Sequence, residues 1–255
     1  MVDLSGITTL LFDIDNTLLL FDDHEFIRIY ITSIHKYFKE EQPNLEKFMS
    51  IFLTSTNKMT RIDKSNLNNL SKFGVDFGSR IGLSRSEIIK RFLSFYQTDF
   101  REVCQIMTLH PIAKDLLKLA SNHFQLVAAT NPLFPTIANE TRFSQTGLDT
   151  FPWLEITSAE DYHFAKPHIE FYEELLVRID KKRSECMIIG DDPINDMVAG
   201  RLGIRTFLVK TDGRAFANII KTDPKYENID FPIDYIGTLE DLHKSLQLKY
   251  SSKFV

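Results

Sequence analysis

The sequence predicts an α/β fold: a parallel sheet covered by helices on both faces, with a lobe of helices inserted after the first strand. Two observations predict it. Short, continuously apolar runs of β-type composition alternate with segments whose apolar residues recur at helical spacing. About 85 residues with no convincing strand then separate the first run from the second, far more than a crossover needs.

The strands are expected at 8–12, 124–129, 154–157, 187–189 and 205–209, with a weaker one at 234–236. Inside the insert, helical periods occupy 26–38, 45–53 and 86–95, around a polar stretch at 64–69. Phe92, Phe95 and Tyr96 share a helix face and read as packing within the lobe. Gly74, Gly78 and Gly82 are spaced like a membrane small-residue motif, but Asp76, Ser79 and Arg80 between them argue for a loop or a close helix contact. Later helices are expected at 111–120 (PIAKDLLKLA), 132–143 with Pro132 near its first turn, 168–177 (HIEFYEELLV), 194–202 and 239–248. The chain therefore divides into a core domain, 1–18 with 106–255, and a helical lobe, 19–105, joined by linkers near 18–23 and 102–109.

Composition narrows the class. The 255 residues are 43% hydrophobic and 25% charged, the balance of an ordinary globular protein. A formal net charge of −5 gives no electrostatic reason to expect nucleic acid or an acidic membrane as partner. Cys104 and Cys186 lie far apart and read as reduced thiols, and no secretory leader is evident, so a cytoplasmic protein is expected. No window approaches the run of about 18 apolar residues that a membrane span needs. The seven histidines show no metal spacing, and Trp153 reads as a core residue.

In open parallel sheets, ligands bind beyond the carboxyl ends of the strands. The first strand ends in Asp13 and Asp15, whose carboxylates point to the same side of an extended chain and repel unless a cation or a shared proton compensates. The second ends in Thr130-Asn131-Pro132, and the fourth in Gly190-Asp191-Asp192 with Asp196 following. Ala165-Lys166-Pro167 lies just beyond the third. Singly, each is a weak signal. A strand-end aspartate is often a helix cap, and Asp192, before Pro193, is assigned that part.

In order and placement these segments resemble the four signatures of the haloacid dehalogenase superfamily: Asp13-Ile14-Asp15-Asn16-Thr17, Thr130, Lys166, and Gly190-Asp191-Asp192-Pro193-Ile194-Asn195-Asp196. Asn16 departs from the glycine that many relatives carry there. The resemblance spans the chain and implies a Rossmann-like three-layer core with a parallel sheet and an inserted helical cap of the C1 type. It also implies a phosphatase acting on a small phosphorylated metabolite through an aspartyl-phosphate. Asp13 would be the nucleophile and Asp15 the acid and base. Thr130, the amide of Asn131 and Lys166 would hold the phosphoryl oxygens. Mg²⁺ would sit on the side chains of Asp13 and Asp191 and the backbone carbonyl of Asp15, with Asp196 and Thr17 supporting that shell. No nucleic acid or membrane is implied, and the state is a monomer or homodimer.

Other activities share parts of this set. A dehalogenase of the family lacks the second aspartate, present here as Asp15. A phosphonatase needs a Schiff-base lysine in the cap, and nothing selects one among Lys36, Lys39, Lys47, Lys58, Lys64, Lys72 and Lys90. A phosphomutase shares every core residue, and a non-catalytic binding protein would not need the whole set. The stretch 72–85 reads either as the part of the cap that faces the core, with Arg80 or Arg85 reaching an anionic leaving group, or as a surface loop.

Overall fold

The structure, a computed structural model, describes residues 2–210 and 232–250. The expected core segment 106–255 therefore includes stretches, 211–231 and 251–255, that lie outside the described residues. Six strands form one sheet: β1 (Thr9–Phe12), β4 (Gln125–Ala128), β5 (Trp153–Ile156), β6 (Cys186–Gly190), β7 (Arg205–Val209) and β8 (Tyr235–Gly237). Their order is β5-β4-β1-β6-β7-β8 and every neighbouring pair is parallel. The chain builds outward from β1 in one direction and then in the other, so the strand order reverses at β1 and opens a crevice at its carboxyl end. Alternate residues feed opposite layers. Leu10 and Phe12 pack on one face with Leu126, Ala128, Met187 and Ile189, while Leu11, Val127, Ala129 and Ile188 fill the other.

Two short strands, β2 (Leu19–Leu20) and β3 (Thr108–Leu109), pair antiparallel where the chain leaves and re-enters the core. The linkers expected near 18–23 and 102–109 are thus stitched to each other, a pairing that the sequence pattern did not announce. Between them, α1 (Asp23–His35), α2 (Leu45–Met59), α3 (Asn69–Ile81), α4 (Arg85–Gln97) and α5 (Phe100–Val103) contribute no strand to the six-stranded sheet. The first four start at polar caps: Asp22, Asn44, Asn68 and Ser84 each accept from a backbone amide three residues on, and Glu87 returns the bond at Ser84. Phe38, Phe48, Phe52, Phe73, Phe77 and Phe92 pack inside, with ring centroids 5.1–6.3 Å apart.

The glycine series is helical. A Cβ on Gly78 would come within 2.5 Å of the Leu83 carbonyl, and Gly82, at φ +79°, ends α3. This is the close helix contact rather than the loop. The stretch 72–85 divides accordingly. Its first end reaches the core: Lys72 Nζ donates to the His163 carbonyl at 2.6 Å. Just before it, Asn69 and Leu70 donate backbone amides to Tyr162 and Ala159 at 2.8 Å, and the Asn68 and Asn69 side chains donate to Glu160, Pro132 and Phe164 carbonyls. Its arginines stay within the lobe, Arg80 on Asp76 and Arg85 on Ser71.

The core helices are α6 (Ala113–Ser121), α7 (Thr136–Thr146), α8 (Ile169–Arg178) and α9 (Leu239–Tyr250). Two differ from expectation. The helix expected to begin near Pro132 begins at Thr136, because Phe134 precedes Pro135 and a residue before proline is driven out of the helical region. The segment expected as a helix over 194–202 is a 3₁₀ helix over Met197–Leu202, its first residues being taken up in a turn that Asp192 caps.

Candidate active site

The turn after β1 is tight. Ile14 O accepts from Leu18 N at 2.9 Å and Leu19 N at 2.8 Å, and Asn16 takes φ +58°. Asparagine tolerates this left-handed conformation better than most side-chain-bearing residues, which lets it take this position in place of a glycine. Its amide also donates to both Asp23 oxygens, tying the turn to the start of α1.

At the reversal point the strand ends bring charges together. Lys166, almost fully buried, donates to Asp13 Oδ1 at 2.8 Å and to Asp196 Oδ1 at 2.5 Å. Burial opposes its charge, but the two carboxylates outweigh burial and hold its pKa well above the ordinary lysine value. Asp196 approaches because residue 190 is glycine: a Cβ there would lie 2.2 Å from Asp196 Oδ2. The same oxygen accepts from Asp192 N at 3.1 Å, and Tyr172 donates its hydroxyl to the Asn195 carbonyl at 2.8 Å, which pins the turn. Asp192 Oδ1 accepts from Ile194 N and Asn195 N, the cap expected of it.

Asp191 stands differently. Its carboxylate accepts from Thr17 Oγ1 at 3.2 Å and, among the described residues, has no ion-pair partner. Burial, with the like charges of Asp13, Asp196 and Asp192, pushes it up to about 8. Burial likewise lifts Asp196 to about 7 against the pull of Lys166. Carboxylate oxygens of Asp13, Asp191 and Asp196 lie within 4.8 Å of one another. A hard divalent cation fits this all-oxygen set, since it supplies the positive charge that Asp191 lacks.

Thr130 is buried at the end of β4, its carbonyl accepting from Thr157 Oγ1 at 2.5 Å. The Asn131 side chain accepts from Lys166 N at 3.2 Å, so the second and third signatures are hydrogen-bonded to each other. Asp15 lies on Arg142, a fully buried residue of α7. Asn139 Oδ1 accepts from the same guanidinium at 3.3 Å, and the Phe134 ring lies 5.3 Å beneath it. Burial lowers the pKa of Arg142 to about 10. Sequence reasoning missed this residue. Its only signal is that α7 follows the Thr130 strand end, where a buried cation would face the carboxylate pair.

Comparison with known proteins agrees with this geometry. The model of the haloacid dehalogenase-like hydrolases matches residues 7–203. The pyrophosphatase PpaX of Bacillus cereus is 23% identical over 242 residues, covering 94% of this chain and 99% of that protein. The glyceraldehyde 3-phosphate phosphatase of Methanocaldococcus jannaschii is 24% identical over 250 residues, covering 93% and 97%. In three dimensions, the 2-haloacid dehalogenase of Pseudomonas syringae pv. Tomato superposes with a TM-score of 0.62 at 17% identity, covering 96% of this chain and 99% of that one.

Proposed function

The chain belongs to the haloacid dehalogenase-like hydrolases, and from that premise we propose that it is a Mg²⁺-dependent phosphatase that cleaves small phosphate monoesters through an aspartyl-phosphate on Asp13. The observation that carries the reading is the Asp13–Lys166–Asp196 chain beside a half-buried Asp191 with no ion-pair partner among the described residues. Structural ion pairs are compensated, whereas this cluster sets three carboxylates, Asp13, Asp191 and Asp196, against the single ammonium of Lys166. The relatives named as phosphatases support the same reaction class.

In the proposed reaction, an Asp13 oxygen attacks phosphorus and the bond to the ester oxygen breaks, the leaving alkoxide taking a proton from Asp15. Water then attacks the same phosphorus and gives its proton to Asp15, and the bond to Asp13 breaks, which frees inorganic phosphate. Lys166 offsets the charge of the transferring group, and Thr130 and the Asn131 amide donate to its oxygens. The ion pair with Arg142 holds the Asp15 carboxylate in place for both proton transfers. Mg²⁺ held by Asp13 and Asp191, with the Asp15 carbonyl, would screen the phosphate from the carboxylates and polarise it. Asp196 positions Lys166, and Thr17 positions Asp191. Residues 19–105 serve as the cap over this site, and the protein acts in the cytoplasm on a small metabolite, as a monomer or homodimer. The presence of Asp15 favours phosphoryl transfer over dehalogenation, although dehalogenases share the fold.

The test is hydrolysis of a panel of phosphate esters with Mg²⁺ and with chelator. Activity is expected only with the metal, and Asp191→Ala should raise the Mg²⁺ requirement at least about tenfold. Undiminished turnover in chelator would overturn the metal assignment.

A further inference from the structure

A cavity of about 380 Å³ lies between α1, α2, α3, α4 and the loop after β4, and Asp15 stands in its wall. That volume is in the range of a small-molecule site. Its lining is almost wholly apolar, with Phe26, Phe52, Phe73, Phe92 and Phe134 as its largest walls. Its few polar groups already have partners within the protein. The Tyr30 and Tyr96 hydroxyls lie 2.7 Å apart and bond each other. Thr56 donates to the Phe52 carbonyl at 3.0 Å, and the Asp23 carboxylate accepts from Asn16. No Lys, Arg or His lines the cavity among the described residues; of its two carboxylates Asp15 is held by Arg142 from behind the wall, and Asp23 presents a like charge to an anion.

We infer that this cavity is the leaving-group site, and that the substrate is the phosphate monoester of an uncharged, apolar alcohol or phenol. The inference rests on the phosphatase reading and deepens it. A second phosphate or a carboxylate on the leaving group would be buried there against apolar walls with the Asp23 carboxylate near it and no cation in the lining. A sugar would bring hydroxyls to walls whose own hydroxyls are bonded to protein groups. An aromatic or branched alkyl group would gain from burial against the phenylalanines. The ester oxygen would then face Asp15, the proposed proton donor. The prediction departs from the leaving groups in the names of the phosphatase relatives, the anionic phosphate of pyrophosphate and the polar triose of glyceraldehyde 3-phosphate.

The experiment measures kcat/KM of the full chain with Mg²⁺ for 1-naphthyl phosphate, pyrophosphate and glyceraldehyde 3-phosphate, alongside saturable binding of 1-naphthol by fluorescence. Naphthyl phosphate is expected to be preferred at least about tenfold, with naphthol bound. Leu53→Lys, at a wall position that is 38% exposed and therefore tolerant of charge, should lower the naphthyl-to-pyrophosphate ratio about tenfold. Preference for pyrophosphate or glyceraldehyde 3-phosphate, or a ratio unmoved by Leu53→Lys, overturns the inference. If no ester is cleaved but naphthol binds and Leu53→Lys weakens it, the apolar site stands and the phosphatase reading falls. If naphthol does not bind, the cavity is packing within the lobe and the inference falls, whatever the activity.

Discussion

The carboxyl edge of the sheet and the interior of the inserted helices are both buried, and they are filled in opposite ways. At the edge lie Asp13, Lys166, Asp196 and Asp191, with Arg142 against Asp15. In the insert lie phenylalanines, and its buried carboxylate, Asp76, is matched by Lys58, Arg80 and Ser55. The contrast separates two uses of a buried charge. Asp76 is compensated on the spot and holds α2 to α3, whereas Asp191 keeps a deficit that a ligand can fill. On the proposed reading, charge would serve the phosphoryl end of the substrate and shape the other.

Substitutions at the two places should therefore fail differently. Asp13→Asn keeps the volume and removes the nucleophile, so turnover should fall by at least about 10³-fold with the melting temperature little changed. Wild-type turnover in that variant would end the covalent mechanism. Phe77→Ala does the converse. The ring is fully buried and within 5.1–6.0 Å of Phe38, Phe48, Phe52, Phe73 and Phe92. Its loss should cost about 3–5 kcal/mol in urea unfolding. A loss below about 1 kcal/mol would mean that the aromatic cluster is not what holds the insert together.

Two smaller effects sharpen the comparison. Arg142→Met keeps an apolar chain of similar reach but frees Asp15 from its cation. Activity should drop about tenfold, and Arg142→Lys, which keeps the charge, should recover most of it. Equal losses in the two variants would make Arg142 a packing residue only. In the insert, burial would raise Asp76, but Arg80, Lys58 and Ser55 outweigh it and hold its carboxyl at about 2. A carboxylate held below its unfolded value stabilises the fold above about pH 4, and that contribution vanishes as pH falls toward 2. Asp76→Asn should thus cost about 1 kcal/mol at pH 7, modest because Lys58 and Arg80 are partly solvated. The gap from wild type should close in acid, and a gap that persists at pH 2 would assign the loss to packing.

The sheet and the strand-end residues were legible because both follow from local pattern. Apolar runs alternate with helical spacing, and each run closes on a polar residue in a recognisable order. Helix starts in the insert were legible only in part: the periods at 45 and 86 begin within a residue of α2 and α4, whereas α1 begins three residues earlier than its first apolar period and α3, with two glycines and Asp76 in its span, was not read as a helix. Arg142 was not, since a single arginine in TIANETRFSQT reads as a solvated face until tertiary packing buries it. The register of Pro132–Thr136 was misjudged by weighing Pro132 as a helix start and overlooking Pro135 behind Phe134. The leaving-group cavity is assembled from four helices and a distant loop, and no window of sequence contains it.

The contact between the start of α3 and the core is lopsided in its chemistry. Its acceptors on the core side are main-chain carbonyls of Pro132, Ala159, Glu160, Tyr162, His163 and Phe164, while the insert supplies amides of Asn69 and Leu70 and the side chains of Asn68, Asn69 and Lys72. A carbonyl oxygen is the same whatever residue bears it. Random substitution along 159–164 that spares the backbone path should leave the fastening intact, whereas single changes at Asn69 or Lys72 remove donors outright. Apart from Ala159 and Tyr162, whose side chains the core itself buries, saturation mutagenesis would find the core side permissive and Asn69 and Lys72 narrow, so that divergent copies of this protein could vary much of the core half of the joint and still hold their helical lobe in place.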